Sequence, residues 1–291
     1  MSTSLVQDLI EAGIHFGQRS SNWNPKMAPY IYGKRNNIHI IDIKETIKGL
    51  LLAKRFIAKT VADGKDVCFV GTKRQARAVI EQRVAEAKMH FVTERWLGGT
   101  LTNFRTIRSR LRRLEELDGI ATADNFASYS KKMESQLKRE RAKIHRNLSG
   151  IRGMEKLPGA IVVIDTKQEV TALREAKKLG IPTICLIDTD GDPEMADIPI
   201  PGNDDSMRSI DVVVRELCIA VAEGRQNREL SREQTGRPTN EGDAGQNGPR
   251  RSRRTQFRAD DAGAPTAGGE TGLGGGGEAV RPVEAAGAKQ G

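Results

Sequence analysis

The chain has 291 residues, 37% of them apolar, and a formal net charge of +9. That is too long for one small domain and too polar to be cored along its whole length, and the positive balance favours a polyanionic partner. No run of eighteen apolar residues occurs, which excludes a membrane-spanning helix. The opening M-S-T-S-L-V-Q-D-L-I-E-A-G is a short amphipathic pattern with acidic residues, not the apolar core of a secretion signal.

In chain order, Ser4 can cap a helix over Leu5–Ala12 that Gly13 ends. Residues 17–30 read as loop, with Pro25 and Pro29 as breakers. Ile31–Tyr32 and Ile38–Ile41 read as a hairpin around a Gly33–Asn37 turn. Asp42 caps a helix over Ile43–Ala62, with Ile47, Leu50, Leu51 and Ile57 at helical spacing. Val67–Val70 is a short strand, followed by G-T-K-R-Q-A and a helix to about Lys88; His90–Val92 is a third short strand. After an interruption the alternation resumes. It runs through strand Ile161–Ile164, a helix over Gln168–Leu179, strand Thr183–Ile187, an acidic loop, I-P-I-P, and a helix from Ser206 to about Ala222. Strands alternating with helices of this length predict a parallel sheet with helices on both faces, an α/β fold whose ligands sit at the carboxyl ends of the strands. Cys68 and Cys185 fall in the strand runs and Cys218 on an apolar helix face, so all three are expected buried and reduced.

The interruption begins at R-W-L-G-G-T-L-T-N-F, residues 95–104. Adjacent Gly98 and Gly99 can take backbone angles closed to other residues. The stretch is either a tight turn over a buried Trp96 or a backbone surface held against a phosphate chain, and local physics leaves both open. In residues 104–151, Ile107, Leu111, Leu114 and Leu117 step at helical spacing. Met133, Leu137, Ile144, Leu148 and Ile151 keep a seven-residue register. An inserted antiparallel coiled-coil hairpin is expected, bent at Gly119–Ser128. Between Arg105 and Gly150 stand twelve Lys or Arg and six Asp or Glu, so a surplus of +6 out of the chain's +9 sits on this insertion. The R-S-R-L-R-R run favours polyanion contact over a merely solvated face. The expected α/β domain is therefore 1–103 with 152–223. From Gly224 to Gly291 the periodicity is lost and Gly-rich runs predict a low-complexity, disordered tail with one basic cluster at Pro249–Arg258.

Catalytic and metal patterns mostly fail. There is no H-E-x-x-H, C-x-x-C or G-x-S-x-G. Asp188, Asp190 and Asp192 alternate like a calcium loop, but Pro193 and Pro199 stand where that loop needs Gly and Glu. What survives is an acidic pocket of Asp188 with Asp204 and Asp205, which His15 completes only if the N-terminal segment folds back over the strand ends. Helix capping is the stronger explanation for Asp204 and Asp205. The turn Gly71–Ala76 has one Gly, so it is neither a dinucleotide fingerprint nor a P-loop, yet free N–H groups, Lys73 and Arg74 make a phosphate seat for a nucleotide or an RNA backbone.

Seven motifs occur in order: H-F-G-Q at 15–18, W-N-P-K-M at 23–27, Y-I-Y-G-x-R-N at 30–36, F-V-G-T-K at 69–73, R-W-L-G-G-T-L-T-N at 95–103, D-x-x-x-D-P at 188–193 and I-P-G-N-D-D at 200–205. The ordered set resembles the bacterial small-subunit ribosomal protein S2 family over about residues 1–226, and L-P-G-A-I-V-V-I-D-T-K-x-E at 157–169 resembles a further family signature. The resemblance implies a flavodoxin-like domain with an inserted coiled-coil hairpin and no catalytic activity or required cofactor. It implies a cytoplasmic, ribosomal, non-homo-oligomeric protein between the head and body of the small subunit. There it would bind rRNA, touch neighbouring ribosomal proteins and help dock the large mRNA-recruiting one. It also implies, for some members, a divalent metal at positions matching His15, Asp188, Asp204 and Asp205, although Gln18 stands where many relatives carry a second His. On this reading Lys73, Arg74, Arg95 and Arg105 lie near phosphates around Gly98–Gly99, and Arg108, Arg112 and Arg113 extend the contact along the hairpin, positioning the protein without reading bases. A nucleotide enzyme using Lys73 and the acidic pocket is the alternative.

Overall fold

The structure, a computed structural model, describes residues 3–122 and 130–235. The chain opens with α1 (Thr3–Glu11) and β1 (Phe16–Arg19), then β2 (Ile31–Arg35), β3 (Ile38–Ile41), α2 (Ile43–Ala62), β4 (Val67–Val70), α3 (Arg74–Glu86) and β5 (His90–Val92). It continues through α4 (Phe104–Thr122), α5 (Lys131–Leu148), β6 (Ala160–Ile164), α6 (Val170–Leu179), β7 (Thr183–Ile187), β8 (Ile198–Pro201) and α7 (Met207–Thr235). β1, β3 and β2 form a small antiparallel sheet, and five parallel strands form the main one in the order β5-β4-β6-β7-β8.

Side-chain alternation explains why the main sheet is covered on both faces. Val67 and Phe69 of β4, Ala160, Val162 and Ile164 of β6, and Ile184 and Leu186 of β7 face one core with residues of α2, α3 and α7. Their neighbours Cys68, Val70, Ile161, Val163, Cys185 and Ile187 face a second core with residues of α4, α5 and α6. Each fully buried branched or aromatic side chain contributes roughly 1.5–3 kcal/mol of transfer free energy. Burial pushes the Cys68 thiol up to about 12 and that of half-buried Cys218 to about 11; Cys185 is likewise raised, and none of the three is in a disulfide. The prolines of I-P-I-P are accommodated because β8 is an edge strand, pairing only with β7.

Five details differ from the sequence reading. Residues 17–19, expected in a loop, continue from Phe16 as a strand on β3. The hairpin turn contracts to Asn36 and Asn37, both at positive φ, because asparagine tolerates that conformation where most side chains do not. Helix α4 runs through Gly119 to Thr122; the rest of the expected bend, residues 123–128, lies outside the described residues. Met133 is 43% exposed and contributes no buried contact to the pair. Helices α4 and α5 are joined across their interface by Arg113–Glu140 and Asp118–Arg141 ion pairs.

The fifth difference is the largest. Helix α7 does not stop near Ala222 but continues past Gly224 to Thr235. Gly224 is not a terminator: it lies against α2, where a Cβ would meet the Ala58 carbonyl oxygen at 2.6 Å and Val61 Cβ at 2.9 Å. The glycine lets two helices approach rather than ending one. The expected tail from residue 236 onward, with the Pro249–Arg258 cluster, lies outside the described residues.

Candidate nucleic-acid interface and the acidic pocket beside it

The R-W-L-G-G-T-L-T-N-F stretch is a compact loop that launches α4. Trp96 is 8% exposed and belongs to the second core, and Gly99 sits at φ 91°, where an L side chain would be strained. A carboxylate from α6 organises it. Glu175 Oε1 accepts from Gly99 N (2.7 Å) and Trp96 Nε1 (3.2 Å), while Oε2 accepts from Leu101 N (3.0 Å), Thr102 N (3.1 Å) and Thr102 Oγ1 (3.2 Å). Burial alone would raise the Glu175 pKa, but these donors outweigh it and hold the carboxyl below its ordinary value of 4.5. The loop is therefore both a tight turn over a buried Trp and a nest of N–H groups around an anion, and that anion is the protein's own.

The β4–α3 turn behaves in the same way. Thr72 donates to Glu169 Oε1 from both its backbone N (2.9 Å) and its hydroxyl (2.5 Å). Burial pushes Glu169 above its usual range, partly opposed by these two bonds. The expected phosphate seat thus has an internal carboxylate on its first free N–H. Helix α6, through its N-cap residue and one buried glutamate, anchors both loops.

Lys73 is a correction to the sequence reading. It does not face outward. Its side chain is 15% exposed, and Nζ lies 2.7 Å from Asp204, 2.6 Å from Asp205 and 3.6 Å from Asp165. Burial alone would lower the pKa of the ammonium, but the three carboxylates outweigh it and raise it. Burial and Asp165 push Asp204 up while Lys73 opposes them, and burial pushes Asp188 up to about 6. The pocket stands at the carboxyl ends of β4, β6, β7 and β8, where the fold class places ligands. Gln18 closes it from β1: Nε2 donates to Asp205 Oδ2 at 2.5 Å and lies 3.4 Å from Asp188 Oδ2.

Asp188, Asp204 and Asp205 offer carboxylate oxygens within 4.8 Å of one another. The N-terminal segment does fold back over the strand ends, but His15 does not join that group. Its Nδ1 is buried without a partner and its ring packs on Phe16. With an ammonium bonded to two of the three carboxylates and an amide on the remaining approach, the residues present do not fit a four-ligand divalent site.

The remaining expected contacts are arginines. Arg74, Arg95, Arg105 and Arg112 are exposed and make no hydrogen bond or ion pair among the described residues. Arg105, Arg108 and Arg112 share one face of α4, their spacing of three and four bringing them into line, and together with Phe104, Ser109 and Glu155 they line a groove of about 680 Å³. Arg108 donates to the Glu155 carbonyl oxygen at 2.8 Å. Arg113 is instead occupied by Glu116 (3.0 Å) and Glu140 (3.5 Å). Gly98 is exposed, and a Cβ there would meet nothing within 4 Å, so open space lies over the loop beside this groove. The sequence reading did not find Glu175, Glu169 or the role of Gln18. The signal for Glu175 was present: it falls between Ala172 and Ala176 on the buried stripe of α6, where an unpaired glutamate is out of place.

Among the described residues no nucleophile is paired with a base at the strand ends, and Lys73 is engaged by Asp204 and Asp205. The five-stranded parallel sheet with helices on both faces defines an α/β protein. The family model described as "Ribosomal protein S2" matches residues 9–224. The small ribosomal subunit protein uS2 of Rhodopirellula baltica is 56% identical over 225 residues, covering 77% of this chain and 86% of that relative. The protein of the same name from Syntrophobacter fumaroxidans is 44% identical over 229 residues, covering 79% of this chain and 84% of the relative. The chain belongs to the ribosomal protein S2 family, and is a structural protein and not an enzyme.

Proposed function

We propose that this chain is a structural constituent of the small ribosomal subunit, bound to rRNA between head and body through the arginine face at the root of α4. The observation that carries the reading is the line of Arg105, Arg108 and Arg112 along one groove, with Arg105 and Arg112 left without acidic partners. Buried loops elsewhere in the chain have their charges answered internally; these side chains do not. Arg74 and Arg95 extend the surface, the Glu175-held loop fixes its position, and Arg113 contributes less because two glutamates already engage it. Recognition is by phosphate position and RNA shape, since aromatic residues make up only 4% of the chain and supply few stacking platforms. The insertion at 104–151, as a coiled-coil hairpin, carries the contact outward from the α/β domain. In this position the protein touches neighbouring ribosomal proteins and supports docking of the large mRNA-recruiting one, acting as a single copy per subunit with no required cofactor.

The test is incorporation. A full-length R105E/R112E variant is expected to melt as the parent does, yet to shift from small subunits to the top of a sucrose gradient in moderate salt. Cosedimentation of the variant at parental stoichiometry would remove the arginine face from the interface.

A further inference from the structure

The acidic pocket has a cation of its own. We propose that in this chain the Lys73 ammonium, with the Gln18 amide, takes the place of a divalent metal at the carboxyl ends of the parallel strands, making a metal-independent clasp between the N-terminal segment and the main sheet. The inference does not depend on the RNA interface and stands on geometry alone.

Four observations carry it. Lys73 Nζ lies 2.7 Å from Asp204 and 2.6 Å from Asp205, two of the three carboxylates whose oxygens lie within 4.8 Å of one another. An ion bound to that pair would have to displace a largely enclosed ammonium. Gln18 spans two of the carboxylates, its Nε2 donating to Asp205 at 2.5 Å and to Asp188 at 3.4 Å, so that its NH2 group satisfies oxygens that Lys73 leaves free. Among the described residues no imidazole, His15 included, offers a nitrogen to the cluster. The surrounding acids follow the same pattern: Lys167 answers Asp190 at 3.1 Å, and Lys26 answers Asp192 at 3.1 Å and Glu194 at 2.5 Å.

The clasp has a tight backbone seat. Gln18 N donates to Thr189 Oγ1 (2.9 Å), Asn24 N to the Thr189 carbonyl oxygen (2.8 Å) and Asn203 N to the Ile14 carbonyl oxygen (2.9 Å). A Cβ on Gly17 would meet Thr189 Cγ2 at 2.6 Å. Segments from opposite ends of the sequence therefore meet directly over the strand ends. The charge that would force them apart is met by a side chain reaching in from the β4–α3 turn.

The experiment uses the full-length chain, purified without chelator and equilibrated with excess Zn²⁺ or, separately, excess Mg²⁺. Bound metal is then counted after desalting and melting is followed with and without EDTA. The expected result is far less than one equivalent of either metal and no change in melting temperature. One equivalent of either, or a melting temperature lowered by EDTA, overturns the proposal. A double-mutant cycle examines the clasp itself. K73M strands buried carboxylates and is expected to lower the melting temperature by about 5–15 °C. D205N, at a carboxylate that is 47% exposed, is expected to cost little alone and to restore part of that loss when combined with K73M. Strictly additive effects, or a K73M protein as stable as the parent, would show that Lys73 is not the counter-charge. The metal count decides the question even if K73M does not fold.

Discussion

Two charged regions of this molecule lie close together in sequence and are handled in opposite ways. Around the strand ends the enclosed donors are answered from within: the Lys73 ammonium by aspartates, Thr72 by Glu169, and the N–H nest at Gly99, Leu101 and Thr102 by Glu175. Along the root of α4, Arg105 and Arg112 stand exposed without partners among the described residues. A basic residue next to a glycine turn is thus no guide by itself to a phosphate contact. What separates the two regions is the acid supplied by Asp165 after β6, by α6 with its N-cap Glu169, and by the β8–α7 loop, none of it near in sequence to the group it answers.

The comparison breaks first at Glu175. E175A leaves buried N–H groups and the Trp96 indole without acceptors, so a loss of about 3–5 kcal/mol is expected in urea unfolding. E175Q, which keeps one acceptor oxygen, should lose less. A fully stable E175A protein would mean that the loop does not need its internal anion.

The next effect is a pH dependence. The Glu175 pKa is depressed below its ordinary 4.5. Its contribution is therefore fully present above the unfolded value and lost as pH falls through the folded one. Stability that declines below about pH 4.5 in the parent, and declines less in E175Q, is the expected pattern in acid titrations of urea midpoints. Parallel curves for the two proteins would assign the acid sensitivity elsewhere.

The smallest effect is expected on the displayed side. Arg113 pairs with Glu116 and Glu140 at a side-chain exposure of 37%. Solvent screening limits such pairs, so R113A should change stability by about 0.5 kcal/mol or less. It should also weaken subunit association less than removal of Arg112, whose charge is unspent. Equal losses in a gradient assay would erase the distinction drawn between paired and unpaired arginines.

Much of the fold was legible because it rests on local periodicity. β4, β5 and β7 fall where the apolar runs place them, and α2 spans Ile43–Ala62 with Asp42 as its cap, the side chain accepting from Lys44 N. Gly180 ends α6 in the left-handed conformation its position suggests. The misses have a common cause. Gly224 looked like a stop because glycine usually is one, and only the approach of α2 shows why it stands inside a helix. Residues 17–19 looked like loop because G-Q-R has no strand pattern, and only pairing with β3 makes them part of a strand.

The candidate site divides along the same line. By itself the sequence determined the parallel sheet, the family, the acidic pocket at the strand ends and the excess of arginine on residues 104–151. Each of these follows from residue type at short spacing or from an ordered set of motifs. Only the tertiary structure decided which charges face one another: Lys73 meets Asp204 across 131 residues, Gln18 meets Asp205 across 187, and Glu175 holds a loop more than 70 residues away. Electrostatic pairing depends on distance in space and on burial, and neither can be read from a chain until the strands have set its register.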